Sequence, residues 1–154
     1  MISNEDLSTE VRTALLAAGW FPQRLVRVPP ACSALAEEMG LPLPASVVSV
    51  IESLDGISLR YPHHGGSGFI DQIFFDAGRA SRNIGSKTLS GWSSRAGSGP
   101  IFPLAQTDYG LFFSMSGEGA FYCGFSPFLG FCGRGIHDFL DRLVGGVPPV
   151  DLGD

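Results

Sequence analysis

Charge is scarce in this chain. Asp, Glu, Lys and Arg make up only 16% of its 154 residues, against 44% apolar residues. That balance excludes a disordered polyelectrolyte and predicts a well-filled core. Positive charge is the scarcer sign, with 10 Lys and Arg against 15 Asp and Glu, a formal charge of −5 and a pI near 5.0. A phosphate backbone is normally met by clustered Lys and Arg, so the balance argues against direct nucleic-acid binding and for a cationic partner. Cysteine is limited to Cys32, Cys123 and Cys132, an odd number without C-x-x-C spacing. Neither a disulfide framework nor a zinc knuckle is indicated, and reduced, buried thiols are expected. The opening Met1-Ile2-Ser3-Asn4-Glu5-Asp6 lacks the cationic start and apolar run of a signal peptide, and no apolar stretch is long enough to cross a bilayer. A cytoplasmic protein with no membrane association is the expectation.

What is present is a chain long enough for one domain, expected over residues 1–147, with a flexible tail over 148–154. Leu7, Val11, Leu15 and Ala18 recur at helical spacing and predict a helix over 5–18, capped by Ser3 and ended by Gly19. Gln23 to Val28 reads as a short extended segment stopped by Pro29-Pro30. Helices follow over 31–39, with proline in the first turn and Gly40 beyond the last, and over 45–54, where Val47, Val50, Ile51 and Leu54 line one side. After Gly56 the period changes to two. Ile57, Leu59 and Tyr61 predict a strand, and Phe69 to Phe75 predicts a second, covered on both faces. The polar, glycine-rich stretch between Ala77 and Gly99 leaves room for a short helix. Further strands are expected over 101–105, 109–115 and 120–125, the last two joined as a hairpin by Gly117-Glu118-Gly119. Phe128 to Gly133 reads as a loop, and Ile136, Phe139, Leu140 and Leu143 predict a closing helix ending at Gly145-Gly146. Helices first, then strands, then one helix is an α+β layout: helices packed on one mainly antiparallel sheet.

No reactive constellation accompanies this layout. Gly65-Gly66-Ser67-Gly68 lacks the glycine two places after serine that a nucleophile elbow needs, Phe69 standing there instead. In Gly85-Ser86-Lys87-Thr88 a serine separates the glycine from the lysine, so the phosphate-loop pattern fails. Adjacent His63 and His64 point to opposite faces of an extended segment, and with His137 they have no carboxylate or cysteine at ligand spacing. Glu37-Glu38, and Asp138 with Asp141, fall on helices where solvation and end-of-helix charge effects account for them. Catalytic residues, metal and cofactor are accordingly expected to be none. The twelve Phe residues, most of them after Ile57, must be buried or used in contacts.

One segment carries a pattern of its own. Ala17-Ala18-Gly19-Trp20-Phe21-Pro22-Gln23-Arg24 is a helix ending in Ala-Gly-Trp, then Pro, then Arg, and it resembles the opening of the third family of SUKH immunity proteins. The likeness runs on through the second helix to Gly40, through Leu54-Asp55-Gly56-Ile57, Phe75-Asp76, Trp92, Phe102-Pro103-Leu104 and Gly117-Glu118-Gly119-Ala120-Phe121-Tyr122, to Leu143-Val144-Gly145-Gly146. Asp55 stands where that family usually has a glycine. The resemblance implies a SUKH-like fold with helices on a largely antiparallel sheet. It also implies a non-enzymatic role: binding a cognate bacterial polymorphic toxin, often a nuclease or deaminase, and occluding its active site.

Gly19, Trp20, Pro22 and Arg24 match the family motif, and a structural role is expected for them. Asp71, Asp76, Trp92, Asp108, Tyr109 and Glu118, on the expected sheet and its loops, are the candidate contacts with a basic toxin domain. Two alternatives accompany this reading: a non-toxin adaptor of the same superfamily, and a hydrolase using the His63-His64 loop and Ser67. Oligomeric state is left open.

Overall fold

The computed structural model describes residues 2–63 and 68–153. Among these residues the fold is α+β, with a seven-stranded antiparallel sheet and six α-helices, the last near the C-terminus. A short 3-10 turn (Asn4–Asp6) leads into α1 (Thr9–Ala17), α2 (Pro30–Glu38) and α3 (Ala45–Leu54), the last with the expected bounds. The sheet then begins with β1 (Ser58–Pro62) and β2 (Ile70–Phe74), and α4 (Ala77–Ile84) and α5 (Ser86–Ala96) intervene before β3 (Ile101–Thr107). β4 (Phe112–Ser116), β5 (Ala120–Phe125), β6 (Phe128–Arg134), α6 (Ile136–Val144) and β7 (Val150–Asp151) complete it. The strands pair in chain order as a meander, the arrangement short connections favour.

Several local expectations are corrected. The first helix starts at Thr9 because Ser8, not Ser3, accepts the Val11 N–H, at 3.2 Å. Gln23 closes a turn and Arg24 to Val28 belong to no strand, with the Val26 N–H bonded to the Glu52 carbonyl at 2.7 Å. β2 is not covered on both faces: Ile73 is buried and Ile70 is 63% exposed. The stretch between Ala77 and Gly99 holds two helices broken at Gly85, whose φ of +76° suits glycine alone. The buried side of α4 is Ile84 with Ala77, Gly78, Ala80 and Ser81, four residues too small to show as an apolar stripe. Their size lets the helix lie close: a Cβ on Gly78 would stand 3.0 Å from Pro29 Cβ.

Phe128 to Gly133, read as a loop, falls in β6, which pairs with β5 along its length around a bulge at Phe121/Tyr122. Its glycines hide the alternation. A Cβ on Gly130 would meet the Phe128 ring and Pro149 at 2.8 Å, so the packing of the tail needs them. The segment after Pro148, expected to fray, places Val150–Asp151 against β6.

The sheet is covered on both sides, and β5 shows how. Phe121 and Cys123 join the larger core with α1 and α6 residues such as Leu15, Phe139 and Leu140. Ala120 and Tyr122 point the other way, into a smaller core with Leu35, Ile84, Leu89 and Trp92. The first of these two layers leaves room for the site.

Candidate functional site

On the α6 side, the sheet and the chain leaving α6 enclose a cleft of about 440 Å³. Its floor is aromatic: Phe113 meets Phe139 at 5.9 Å between ring centroids, Phe139 stacks on Phe121 at 4.6 Å, and Tyr61 stands edge-on to Phe113 at 6.5 Å. Leu111, Phe125, Phe128 and Leu143 add apolar walls. Gly146, at φ +68° and with room for a Cβ only 3.0 Å from Pro62, turns the chain tightly against β1 so that Val147, Pro148 and Pro149 form the outer wall.

One end of the cleft is polar. The β1–β2 register sets Tyr61 opposite Asp71, which puts both side chains on one face. The β3–β4 turn brings Tyr109 to the same place. Asp71 Oδ2 lies 2.7 Å from His63 Nδ1 and accepts a longer bond from the Tyr109 hydroxyl at 3.4 Å. Burial raises both phenols above their ordinary range. For Tyr61 the Tyr109 hydroxyl and then Asp71 add to it, and for Tyr109 the Asp71 charge does. Both hydroxyls therefore stay protonated and serve as hydrogen-bond groups rather than bases. Cys123 and Cys132 also face the cleft. The hydrogen bond with the Cys123 thiol and then burial raise Cys132, and burial raises Cys32. Such thiols are poor nucleophiles. The arrangement suits holding an apolar group, with hydroxyls and a carboxylate at the mouth.

The six candidate contacts do not form one surface. Asp71 and Tyr109 meet at the cleft's polar end, with Tyr109 58% exposed, and Asp108 is exposed beside Tyr109 in the chain. Asp76 caps α4, its Oδ1 accepting the Arg79 N–H at 3.1 Å. Glu118 is exposed in the β4–β5 turn, at the far end of β4 from Tyr109. Trp92 is a correction. It is 4% exposed, within the smaller core, its ring 6.3 Å from that of Phe112, because α5 turns its apolar side inward. A buried ring offers a partner nothing.

The Gly19–Arg24 motif is spent on intramolecular contacts. Gly19 takes a φ of +99° after α1, and Pro22 sits in the turn that follows. Trp20, 2% exposed, donates its indole N–H to Ser53 Oγ at 3.2 Å. Arg24 donates to the carbonyls of Ser53 at 2.9 Å and Asp55 at 2.6 Å, covering the end of α3. The departure at Asp55 has a local use: its Oδ1 accepts the N–H of Ala77, first residue of α4, at 2.8 Å.

Sequence reasoning passed over Tyr61, His63 as a partner of Asp71, and the ring floor, because their partners lie on elements distant in the chain. His64 and Ser67, named for the hydrolase alternative, lie outside the described residues. Among the described residues no three His, Cys, Asp or Glu side chains are grouped to hold a metal ion, and no helix is long and apolar enough to cross a membrane.

Comparison with curated proteins and with solved structures gave no match. A family model does match, over residues 7–146, a span that takes in the Gly-Trp-Pro-Arg segment, the whole meander through β6 and the closing helix. The cleft and its polar end thus belong to a member of the SUKH-3 immunity protein family.

Proposed function

We propose that this chain binds a cognate, basic toxin domain in the cytoplasm and neutralises it by covering its active site. The observation that carries the reading is the family match across residues 7–146. The acidic net charge supports it, because summed charge draws an oppositely charged partner into encounter. So does the site itself, whose phenols and Cys132 thiol are held in their protonated, unreactive forms.

Occlusion needs surface rather than chemistry. Asp71, Asp108 and Tyr109 are the contacts we assign, and Glu118 and Asp76 are peripheral to them. Co-expression with the toxin encoded beside this gene, followed by isolation of the complex and an activity assay, tests the reading. A stable complex with lost toxin activity is expected, and Asp108→Ala with Tyr109→Ala should weaken it by about tenfold or more. A toxin that stays free and active beside an excess of this chain would end the proposal. A partner bound without any toxic activity would favour the adaptor alternative.

A further inference from the structure

We infer that the cleft is the anchoring pocket of the toxin interface and takes one aromatic side chain, presented by the toxin next to a Lys or Arg; this rests on the immunity reading above. Three observations carry it. The first is the cleft itself: about 440 Å³ bounded by rings and aliphatic side chains, within the roughly 300–1,000 Å³ of pockets that bury a bound group. Phe139 on the floor is 1% exposed.

The second is that the apolar surface does not stop at the mouth. Phe69 is 71% exposed, Tyr109 58%, Phe125 52% and Val147 48%. These four come from the β1–β2 and β3–β4 connections, the end of β5 and the chain after α6, and the meander gathers them around one opening. The Phe69 carbonyl accepts the His63 N–H at 2.9 Å, and His63, Tyr109, Phe125 and Val147 all line the cleft. Single exposed rings are ordinary, whereas a contiguous set around a pocket marks a macromolecular contact. A small molecule would occupy the cleft and leave that collar bare, so a protein segment fits better, with one side chain in the pocket and its neighbours on the collar.

The third is charge. Asp71 stands at the opening beside Tyr109, and Asp108 is exposed next to Tyr109 in the β3–β4 connection. Arg142, the cation lining the cleft, is engaged by Asp138 at 3.1 Å and lies over the Phe131 ring at 5.7 Å. Asp71 shares its charge with His63, 2.7 Å away, and this acidic group together with the chain's net charge of −5 favours a basic residue beside the anchor. The protonated hydroxyls of Tyr61 and Tyr109 offer a partner to an indole N–H or a phenol hydroxyl.

Two measurements test this. Val147→Trp, at a half-exposed lining position, fills the pocket from outside and spares the core; Leu25→Trp, 70% exposed between α1 and α2, is the control. Calorimetric titration with the toxin domain should show a loss of about tenfold or more for Val147→Trp and less than about twofold for Leu25→Trp. Phe125→Ala, a truncation on the collar, should lose several-fold and stands in if Val147→Trp does not fold. In parallel, indole titrated into the toxin-free chain should saturably shift the amide resonances of Leu111, Cys132 and Phe139, and Val147→Trp should abolish those shifts. Toxin binding unchanged in both Val147→Trp and Phe125→Ala overturns the pocket while leaving the immunity reading standing. Indole shifts that fail to saturate, or that persist in Val147→Trp, also overturn the pocket. A wild-type chain that binds no toxin domain ends the immunity reading, and the anchoring role falls with it.

Discussion

Arg24→Leu is the sharpest test of how the N-terminal segment is fastened to the rest of the molecule. Its guanidinium forks onto the carbonyls of Ser53 and Asp55, two of the groups that α3 leaves without intrahelical partners. A hydrogen bond to a charged group contributes about 1.5–3 kcal/mol net. Arg24 is only partly buried, so water can return to the carbonyls when it is removed. We expect a loss of about 3 kcal/mol rather than the full sum of two such bonds. In a chain of this length about 1 kcal/mol corresponds to roughly 2–4 °C in Tm, so the variant should melt about 6–12 °C lower.

Arg24→Lys should recover less than about half of that loss, because an ammonium lacks the planar fork that spans both carbonyls. Urea unfolding followed by far-UV circular dichroism gives the free energy, and the toxin-domain titration gives affinity on the same samples. Stability within about 0.5 kcal/mol of wild type would refute the fastening role. Weakened toxin binding without lost stability would move Arg24 from the scaffold to the interface.

Trp92→Ala should cost about 3–5 kcal/mol, measured by the same unfolding assay, while the folded fraction keeps wild-type affinity for the toxin domain, since the ring sits in the smaller core. Asp138 is held below its ordinary 3.8, first by the Arg134 N–H at 2.8 Å and also by Arg142. Its stabilisation is therefore present above pH ~3.8 and lost as pH falls through the lower folded value. Asp138→Asn should flatten that acid limb in a melt series across pH 2–6. Asp55 has the opposite sign. Burial raises it, so its contribution favours folding at low pH and declines as pH rises above ~3.8, and Asp55→Asn, which keeps an acceptor for Ala77, should gain stability relative to wild type near neutrality. Thiol titration with a disulfide reagent should find Cys32 and Cys132 unreactive in the native chain and all three cysteines reactive in denaturant; rapid native labelling of either would contradict their burial.

The helices were legible where apolar residues of ordinary size recur at 3.6, as in α3, whose bounds were read directly, and α6, whose four apolar residues were. The β4–β5 hairpin was legible from its turn, Gly117-Glu118-Gly119. α4 was not, because apart from Ile84 its buried side is made of Ala, Gly and Ser, whose value is closeness to Pro29 rather than hydrophobic area. β6 was not, because glycines that admit Phe128 and Pro149 interrupt its alternation. The Gly-Trp-Pro-Arg segment announced the family, yet nothing local shows that Trp20 and Arg24 reach Ser53 and Asp55, about thirty residues on.

Class, family and charge thus follow from patterns that one segment or one composition carries alone. The cleft does not, since Tyr61, Phe113, Cys132 and Val147 are neighbours only after the strands have paired in order and Gly146 has turned the chain back across them. Register and packing between distant segments create that concavity, and they also explain why Trp92 ended up buried while Asp71 and Tyr109 met. Periodicity reports which side of an element faces inward; it is silent on what waits there.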